Sequence, residues 1–218
     1  MTAAEPSDAG GLEAREARWL AEEFAPGGGS TPALESAIRR RLAGEPLQYV
    51  IGHWPFRSLD LVVDPRVLIP RPETEWLVDV ALRHVSGPVA TVVDLGCGSG
   101  AVGLALATEL AARGTHARVI GVDASADALA VAALNAERCG ARLELVLGSW
   151  YGALDPALAG SVDLVVANPP YVGSDELPSL DPELAHEPRA ALVARDRHGV
   201  AGFADVAVVI DGAPTWLA

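Results

Sequence analysis

Apolar and polar positions follow two alternating periods over the second half of the chain. Short apolar runs typical of buried strands alternate with longer segments whose apolar residues recur at helical spacing. The pattern predicts strands over Val89–Leu95, Ala117–Asp123, Leu143–Leu147 and Val162–Ala167, and helices over Ala101–Arg113, Ala126–Cys139 and Phe203–Leu217. Strands separated by helices imply right-handed crossovers and a parallel sheet covered on both faces. We therefore expect an α/β fold, an αβα sandwich.

The first 46 residues predict a short helical region with little core of its own. Helical patterns cover Leu12–Phe24 and Ala33–Ala43. Thr31 suits the N-cap of the second helix, and Pro32 suits its first turn. Residues 1–46 therefore form a helical appendage in this prediction.

A connector follows, which the sequence places at residues 47–66. Aromatic and β-branched residues between Gln48 and Val63 predict a β-hairpin. Beyond it, Pro70 and Pro72 hold an extended elbow, and a helix begins near Pro72 and runs toward His84. Residues 67–218 then make up the main domain.

Composition and charge narrow the class of protein. Of 218 residues, 50% are hydrophobic and 21% charged, as expected of a globular chain. The 16 basic residues, all of them Arg, stand against 29 acidic ones, and the net charge of −13 opposes direct nucleic-acid binding.

Features linked to metals, membranes and export are missing from the sequence pattern. The two cysteines, Cys97 and Cys139, lie near no histidine cluster, so we expect no metal site and a reduced, cytoplasmic compartment. The N-terminal sequence lacks the basic start and apolar run of a signal peptide, and no apolar stretch is long enough to cross a membrane.

A glycine-rich turn joins the first strand of the main domain to its helix. Its sequence is Asp94-Leu95-Gly96-Cys97-Gly98-Ser99-Gly100. Glycines let a ligand approach the backbone closely, and Asp123 follows at the distance expected for an acid that binds a ribose. Either NAD or S-adenosylmethionine would use that acid. Asp94 favours S-adenosylmethionine, because a carboxylate repels a pyrophosphate but attracts the donor's ammonium and sulfonium groups.

The second motif follows the last predicted strand. Asn168-Pro169-Pro170-Tyr171 lies at a strand's carboxyl end, where open α/β sheets bind ligands. A planar amide or ring-amino nitrogen is a poor nucleophile, because its lone pair is delocalised. The Asn168 side-chain oxygen and the Pro169 carbonyl can each accept one of its N–H groups and orient the nitrogen, and the Tyr171 ring can cover it. The tetrapeptide therefore predicts methyl transfer to an NH₂ group.

Together these motifs resemble those of the peptide chain release factor glutamine methyltransferases. The resemblance is carried by Leu68-Ile69-Pro70-Arg71-Pro72-Glu73-Thr74-Glu75, the glycine-rich turn, Asn168-Pro169-Pro170-Tyr171, and Glu187-Pro188 before Ala190-Ala191-Leu192. It implies a Rossmann-like S-adenosylmethionine-dependent fold and methylation of the glutamine amide in the Gly-Gly-Gln loop of a release factor, which would be the protein partner.

The resemblance also implies residue roles. The donor would be held by Asp94, Gly96, Cys97, Gly98, Ser99, Gly100 and Asp123, with Trp150 beside its adenine. Asn168 would lie between donor and glutamine, and Asn168, Pro169, Pro170 and Tyr171 would form the amide pocket. Ser149 departs from the family, which has an acid there. Arg71 either pairs with Glu73 in the elbow or belongs to the substrate entrance.

Two alternatives stay open. An adenine-N6 methyltransferase would present the same NH₂ group to Asn168, although the charge of −13 opposes it. A catalytically idle S-adenosylmethionine-binding protein is the other. It is kept open because the family continues beyond the last predicted helix with strands that complete the sheet, so we expect a sheet that is incomplete at that edge.

Overall fold

The computed structural model describes residues 12–194, 196 and 200–218. Four parallel strands, β3 (Val89–Leu95), β4 (His116–Asp123), β5 (Glu144–Leu147) and β6 (Leu164–Ala167), form the central sheet. Their order is β5-β4-β3-β6. The expected α/β class and parallel sheet are thereby confirmed.

The strand order reverses direction between β3 and β6. From β3 the chain steps outward to β4 and β5, and then returns to place β6 on the other side of β3. Leu95 pairs with Ala167 in the register of these neighbours, so the turn after β3 and the loop after β6 emerge side by side. Such a switch point opens a crevice at the carboxyl ends of parallel strands.

Helices cover both faces of the sheet. The helices of the main domain are α4 (Thr74–His84), α5 (Ala101–Ala112), α6 (Ala126–Cys139), the short α7 (Arg189–Leu192) and α8 (Ala204–Trp216). Val92 and Val119 pack with α4 and α5 on one face. On the opposite face Val93 and Ile120 pack against Tyr151 and α8, which completes an αβα sandwich.

The described part of the N-terminal region contains two helices. It contains α1 (Ala14–Phe24) and α2 (Pro32–Leu42), and the Thr31 side chain accepts a hydrogen bond from the backbone N–H of Leu34 at 3.0 Å. The sequence Met1–Gly11, in which we expected no signal peptide, lies outside the described residues. Within the described part of the chain, no helix has the length and apolar character needed to cross a bilayer.

The predicted hairpin over Gln48–Val63 is wrong in its first part. Residues Leu47–Ile51 form a helix, α3, and the hairpin is confined to β1 (His53–Phe56) and β2 (Leu59–Val62). Pro46 starts α3 and Gly52 ends it with a φ of 89°. Helix α3 buries the side chains of Tyr49 and Val50. Burial in the tertiary structure therefore outweighs the strand propensity of these aromatic and β-branched residues.

Smaller differences concern the ends of elements. The last strand begins at Leu164 rather than Val162, because Val162 instead forms an isolated parallel bridge with Leu217. The helix expected near Pro72 begins at Thr74. Among the described residues, Leu164–Ala167 pairs with β3 on one side and with no strand on the other.

Candidate functional site

A cavity of about 440 Å³ lies at the carboxyl ends of β3, β4 and β6. It is lined by the glycine-rich turn, by the end of β4 and the residues after it, and by Asn168 beyond β6. The strand-order reversal accounts for this position, because the chain continues from β3 and from β6 to helices on opposite faces of the sheet and leaves a crevice between the two loops. The predicted donor residues other than Gly100 therefore line the same cavity as Asn168.

The glycine-rich turn is held by backbone hydrogen bonds to β4. The N–H groups of Gly96 and Cys97 donate to the Val122 carbonyl at 2.8 and 3.0 Å. Gly96 and Gly98 have φ angles of 75° and 54°, which favour glycine over residues with a Cβ. The turn is thus fixed before any ligand binds.

Asp123 closes this turn from the opposite side. Its Oδ2 accepts from the N–H of Gly98 at 2.8 Å, and its Oδ1 accepts from the N–H of Ser125 at 2.9 Å. Each carboxylate oxygen retains a further lone pair, and Asp123 lines the cavity. The carboxylate can therefore accept hydrogen bonds from a ligand diol while it holds the turn.

Asp94 is a buried carboxyl group beside the same cavity. Its side chain is only 2% exposed, and its Oδ2 accepts from the N–H of Gly103 at 2.9 Å. Burial raises the pKa of Asp94 to about 7, with a further contribution from the negative charge of Asp123. A cationic ligand group would compensate for this burial and favour the carboxylate, whereas a pyrophosphate would be repelled. The residues therefore fit a donor that carries positive charge.

The remaining residues of the turn serve mainly to pack it. Cys97 is buried, and burial raises the pKa of its thiol, so the sulfur stays protonated. A Cβ on Gly100 would lie 3.1 Å from a methyl group of Leu143, which leaves little room for a side chain. The Ser99 carbonyl accepts from the Asn135 side chain at 2.9 Å.

Trp150 borders the cavity in an uncommon backbone conformation. Its φ is 48°, which bulky residues rarely adopt. Its ring lies against Gly96, since a Cβ built there would be 3.5 Å from the indole. Ser149, where we noted a departure from the family, lines the cavity next to it. The indole thus forms one wall of the cavity, with Ser149 beside it.

A second cavity of about 520 Å³ adjoins the first. Its walls come from the start of α4, from the loop after β6 and from residues 180–192. The residues that line both cavities are Leu68, Arg71, Thr74, Asn168 and Ala191. Asn168 is thus part of a wall common to the two cavities.

Asn168 is positioned by Thr74, a contact that the sequence did not predict. Its Nδ2 donates to the Thr74 hydroxyl at 3.4 Å. With Nδ2 engaged, Oδ1 remains available to accept a hydrogen bond. Within the described residues, the carbonyl of Pro169 accepts no backbone hydrogen bond, so two acceptors lie next to each other on the chain.

The two residues after Pro169 divide between the cavities. Pro170 lines the first, and Tyr171 lines the second with 66% of its surface exposed. Val172 forms a parallel bridge with Val193, which joins this loop to the segment that follows α7. The loop is therefore tied down, while the Tyr171 ring stays accessible.

Gly202 lies against the backbone of Tyr171. A Cβ at Gly202 would overlap the Tyr171 carbonyl oxygen and lie 2.6 Å from its carbon. The φ of Gly202 is 66°, which also favours glycine. No sequence signal marks this glycine, because the contact joins segments separated by 31 positions.

The elbow is joined to residues 182–192 through Arg71. Its ion-pair partner is Glu187 and not Glu73, which corrects one of the two expectations for Arg71. The Glu187 side chain is 2% exposed and also accepts from the N–H of Ile69 at 3.1 Å. This contact fixes the wall between the cavities.

Asn135 is a further residue that the sequence did not reveal. It is fully buried, accepts from the N–H of Val62 at 2.7 Å and donates to the Val62 carbonyl at 3.1 Å. Its third bond is the one to Ser99. One side chain on α6 thereby links the hairpin to the glycine-rich turn.

The family model and the curated relatives that match this chain are methyltransferases by name. The family model described as the methyltransferase small domain matches residues 74–194, more than half of the chain. The chain is 42% identical over 186 residues to a release factor glutamine methyltransferase of Geobacter sulfurreducens, covering 85% of this chain and 61% of that protein. It is 43% identical over 188 residues to the Bordetella pertussis protein of the same name, with 84% and 66% covered.

A solved structure of lower similarity has also been found. The crystal structure of an rRNA methylase from Streptococcus thermophilus superimposes with a TM-score of 0.41 at 18% identity, covering 69% of this chain and 67% of that one. The chain spans less than two thirds of the length of the two curated relatives named above.

Proposed function

The chain belongs to the methyltransferase small domain family, and we propose that it methylates the side-chain amide nitrogen of a glutamine in a peptide chain release factor, using S-adenosylmethionine. The observation that carries the proposal is the position of Asn168 on the wall common to the two cavities. The glutamine would be that of the Gly-Gly-Gln loop, and the proposed substrate implies a cytoplasmic enzyme.

The first cavity is the proposed donor site. Asp123 would accept from the ribose hydroxyls while it holds Gly98, and Trp150 would border the adenine. The glycine-rich turn, Gly96 to Gly100, would contact the donor through its backbone. Asp94 would balance the positive charge at the other end. When bound, S-adenosylmethionine supplies an electrophilic methyl group.

The second cavity is the proposed acceptor site. Asn168 Oδ1 and the Pro169 carbonyl would each accept one N–H of the glutamine amide, which orients the nitrogen toward the first cavity. Pro170 would rigidify the loop, and the exposed Tyr171 ring would cover the planar amide. A volume of about 520 Å³ exceeds that of one side chain, so neighbouring backbone of the acceptor would enter as well.

Positioning supplies most of the catalysis in this proposal. An amide nitrogen that has been alkylated gives up a proton readily, so the chain needs no side-chain base. Asn168 and Pro169 instead provide fixed dipoles, which cost no reorganisation during the reaction. Asn168, Pro169 and Tyr171 are accordingly the proposed catalytic group.

The curated relatives favour a protein acceptor over a nucleic acid. Their names specify release factor glutamine, and the net charge of −13 is unsuited to a nucleic-acid backbone. We accordingly propose a release factor as partner and no direct nucleic-acid binding. A catalytically idle protein would bind S-adenosylmethionine in the first cavity but transfer no methyl group.

The test is acceptor methylation by the purified chain. We expect incubation with S-adenosylmethionine and a release factor to add one methyl group to the loop glutamine, located by tandem mass spectrometry. A release factor with that glutamine replaced by asparagine is the matched control and should stay unmodified. Methylation of an adenine oligonucleotide instead would contradict the proposal, and donor binding without any methylation would support the idle alternative.

A further inference from the structure

The first cavity contains an imbalance of charged side chains. Its lining includes three carboxyl groups, Asp94, Asp123 and Asp205, and two guanidinium groups, Arg66 and Arg71. The amino-acid end of the proposed donor carries a carboxylate as well as an ammonium. Near Asp94 that carboxylate would be repelled unless a cation lies close to it. The two arginines are the cations among the lining residues.

Arg66 is committed to the other end of the cavity. Its guanidinium makes hydrogen bonds of 2.6 to 3.2 Å to Asp64, which raise the pKa of Arg66. The negative charge of Asp127, at the start of α6, also raises this pKa. Asp127 lies four residues beyond Asp123, which is the proposed ribose ligand. Arg66 therefore lies on the adenosine side of the proposed donor site, and both Nε and Nη2 of its guanidinium are engaged by Asp64.

Arg71 lies at the opposite end, in the wall that contains Asn168 and Thr74. Its Nη2 donates to Glu187, and this is its sole side-chain hydrogen bond within the described part of the chain. A guanidinium has five N–H donors in a rigid fork, so further donors remain. Because the Glu187 carboxylate is almost fully buried, the arginine is held at one position.

We infer that Arg71 binds the carboxylate at the amino-acid end of the methyl donor, and that Glu187 is the positioning residue that holds the Arg71 guanidinium beside the first cavity. The inference rests on the proposed donor site. It gives the donor's two amino-acid charges separate partners, with Asp94 for the ammonium and Arg71 for the carboxylate. It also explains why a buried carboxylate reaches back to the elbow from a position 116 residues away.

Two nucleoside probes separate this role from general packing. S-adenosylhomocysteine has the amino-acid end, and 5′-methylthioadenosine lacks it. By calorimetry, Arg71→Gln should weaken binding of S-adenosylhomocysteine about 10- to 100-fold, the range expected for a lost charge-assisted hydrogen bond. Binding of 5′-methylthioadenosine should stay within about twofold of the wild type. Arg71→Lys should fall between, because an ammonium keeps the charge without the fork.

Two further variants guard against loss of structure. Arg71→Gln leaves the buried Glu187 carboxylate unpaired. The double variant with Glu187→Gln should therefore unfold at a higher temperature than Arg71→Gln alone, with the same selective loss of S-adenosylhomocysteine binding. Arg189→Gln removes an exposed positive charge that lines neither cavity, and it should change neither affinity.

The outcomes distinguish the inference from the proposed function. Equal weakening of both probes by the Arg71 variants would assign Arg71 a packing role and overturn the inference, as would unchanged affinity for both. In either case the wild type still binds, and the proposed function survives. A wild-type chain that binds neither probe would overturn the proposed donor site and the inference with it.

Discussion

The side-chain amide of Asn168 donates to the hydroxyl of Thr74 across 3.4 Å, although the two residues are 94 positions apart in the chain. Asn168 follows the edge strand β6, and Thr74 is the first residue of α4. Both line the two adjoining cavities. The start of a helix outside the sheet thereby sets which face of the Asn168 amide is free for an acceptor.

Loss of the Thr74 hydroxyl should slow turnover without preventing donor binding. Thr74→Val keeps the shape but removes the partner of Asn168 Nδ2, so we expect kcat to fall about tenfold, the equivalent of one hydrogen bond. Thr74→Ser retains the hydroxyl and should stay near the wild type. A Thr74→Val enzyme with wild-type kcat would show that Asn168 needs no such partner.

The contact of Gly202 with Tyr171 gives a prediction about the acceptor side. Gly202→Ala places a methyl group on the Tyr171 carbonyl, so the loop must shift. We expect a higher KM for the release factor and unchanged affinity for S-adenosylhomocysteine. Gly140→Ala has a similar φ, 61° against 66°, with no atom near its Cβ, and it controls for backbone strain alone. The contact has no functional role if both variants alter KM equally.

Burial of Asp94 predicts a dependence of stability on pH. The pKa of Asp94 is raised to about 7 in the folded protein, whereas an unfolded Asp titrates near 3.9. The folded state therefore holds the proton more tightly, and the resulting stability is present below about pH 4 and lost as pH rises through about 7. As pH rises over that range, the melting temperature of the wild type should fall relative to that of Asp94→Asn, which does not titrate. A constant difference would exclude a raised pKa.

The same group predicts the pH dependence of donor binding. A cationic donor favours the ionised carboxyl, so wild-type affinity for S-adenosylmethionine should rise as pH increases through about 7. Asp94→Asn should bind the donor more weakly and with little change between about pH 6 and 8. Calorimetry at several pH values checks this. A parallel pH profile in the variant would assign the dependence to another group.

Asn135 should be important for stability despite its distance from the reaction. Asn135→Ala leaves the N–H and carbonyl of Val62 and the carbonyl of Ser99 without their partner. Loss of several buried hydrogen bonds should lower the free energy of unfolding by about 3 kcal/mol or more, measured by urea denaturation. A loss below about 0.5 kcal/mol would mean that water replaces the amide.

The sequence predicted the elements best where pattern and boundary signals agree. Val89–Leu95 and Ala126–Cys139 have the predicted bounds, since an apolar run or helical period is bounded by glycine or a capping serine. The strand predicted for residues 47–51 was wrong, because these residues are buried against the N-terminal helices and local propensity does not reflect such contacts. The same limit applies to boundaries set by bridges, such as Val162 with Leu217.

The candidate site was predictable where one motif contains the chemistry. The glycine-rich turn and residues 168–171 lie at adjacent strand ends, and their neighbourhood follows from a parallel sheet. The contacts that position them were not predictable, because Thr74, Asn135 and Glu187 act on residues that are distant in the sequence and meet them only on folding. Short motifs thus indicated the proposed reacting groups, and the structure shows which contacts hold them in place.

The central claim is that Asn168 lies between the proposed donor site in the first cavity and the proposed acceptor site in the second. The most direct measurement is the fraction of release factor glutamine methylated by wild type and by Asn168→Ala, quantified by mass spectrometry at matched saturation with S-adenosylmethionine. We predict methylation by the wild type and none detectable with Asn168→Ala, whose melting temperature should stay close to that of the wild type. Methylation of the glutamine at the wild-type rate by Asn168→Ala would contradict the account.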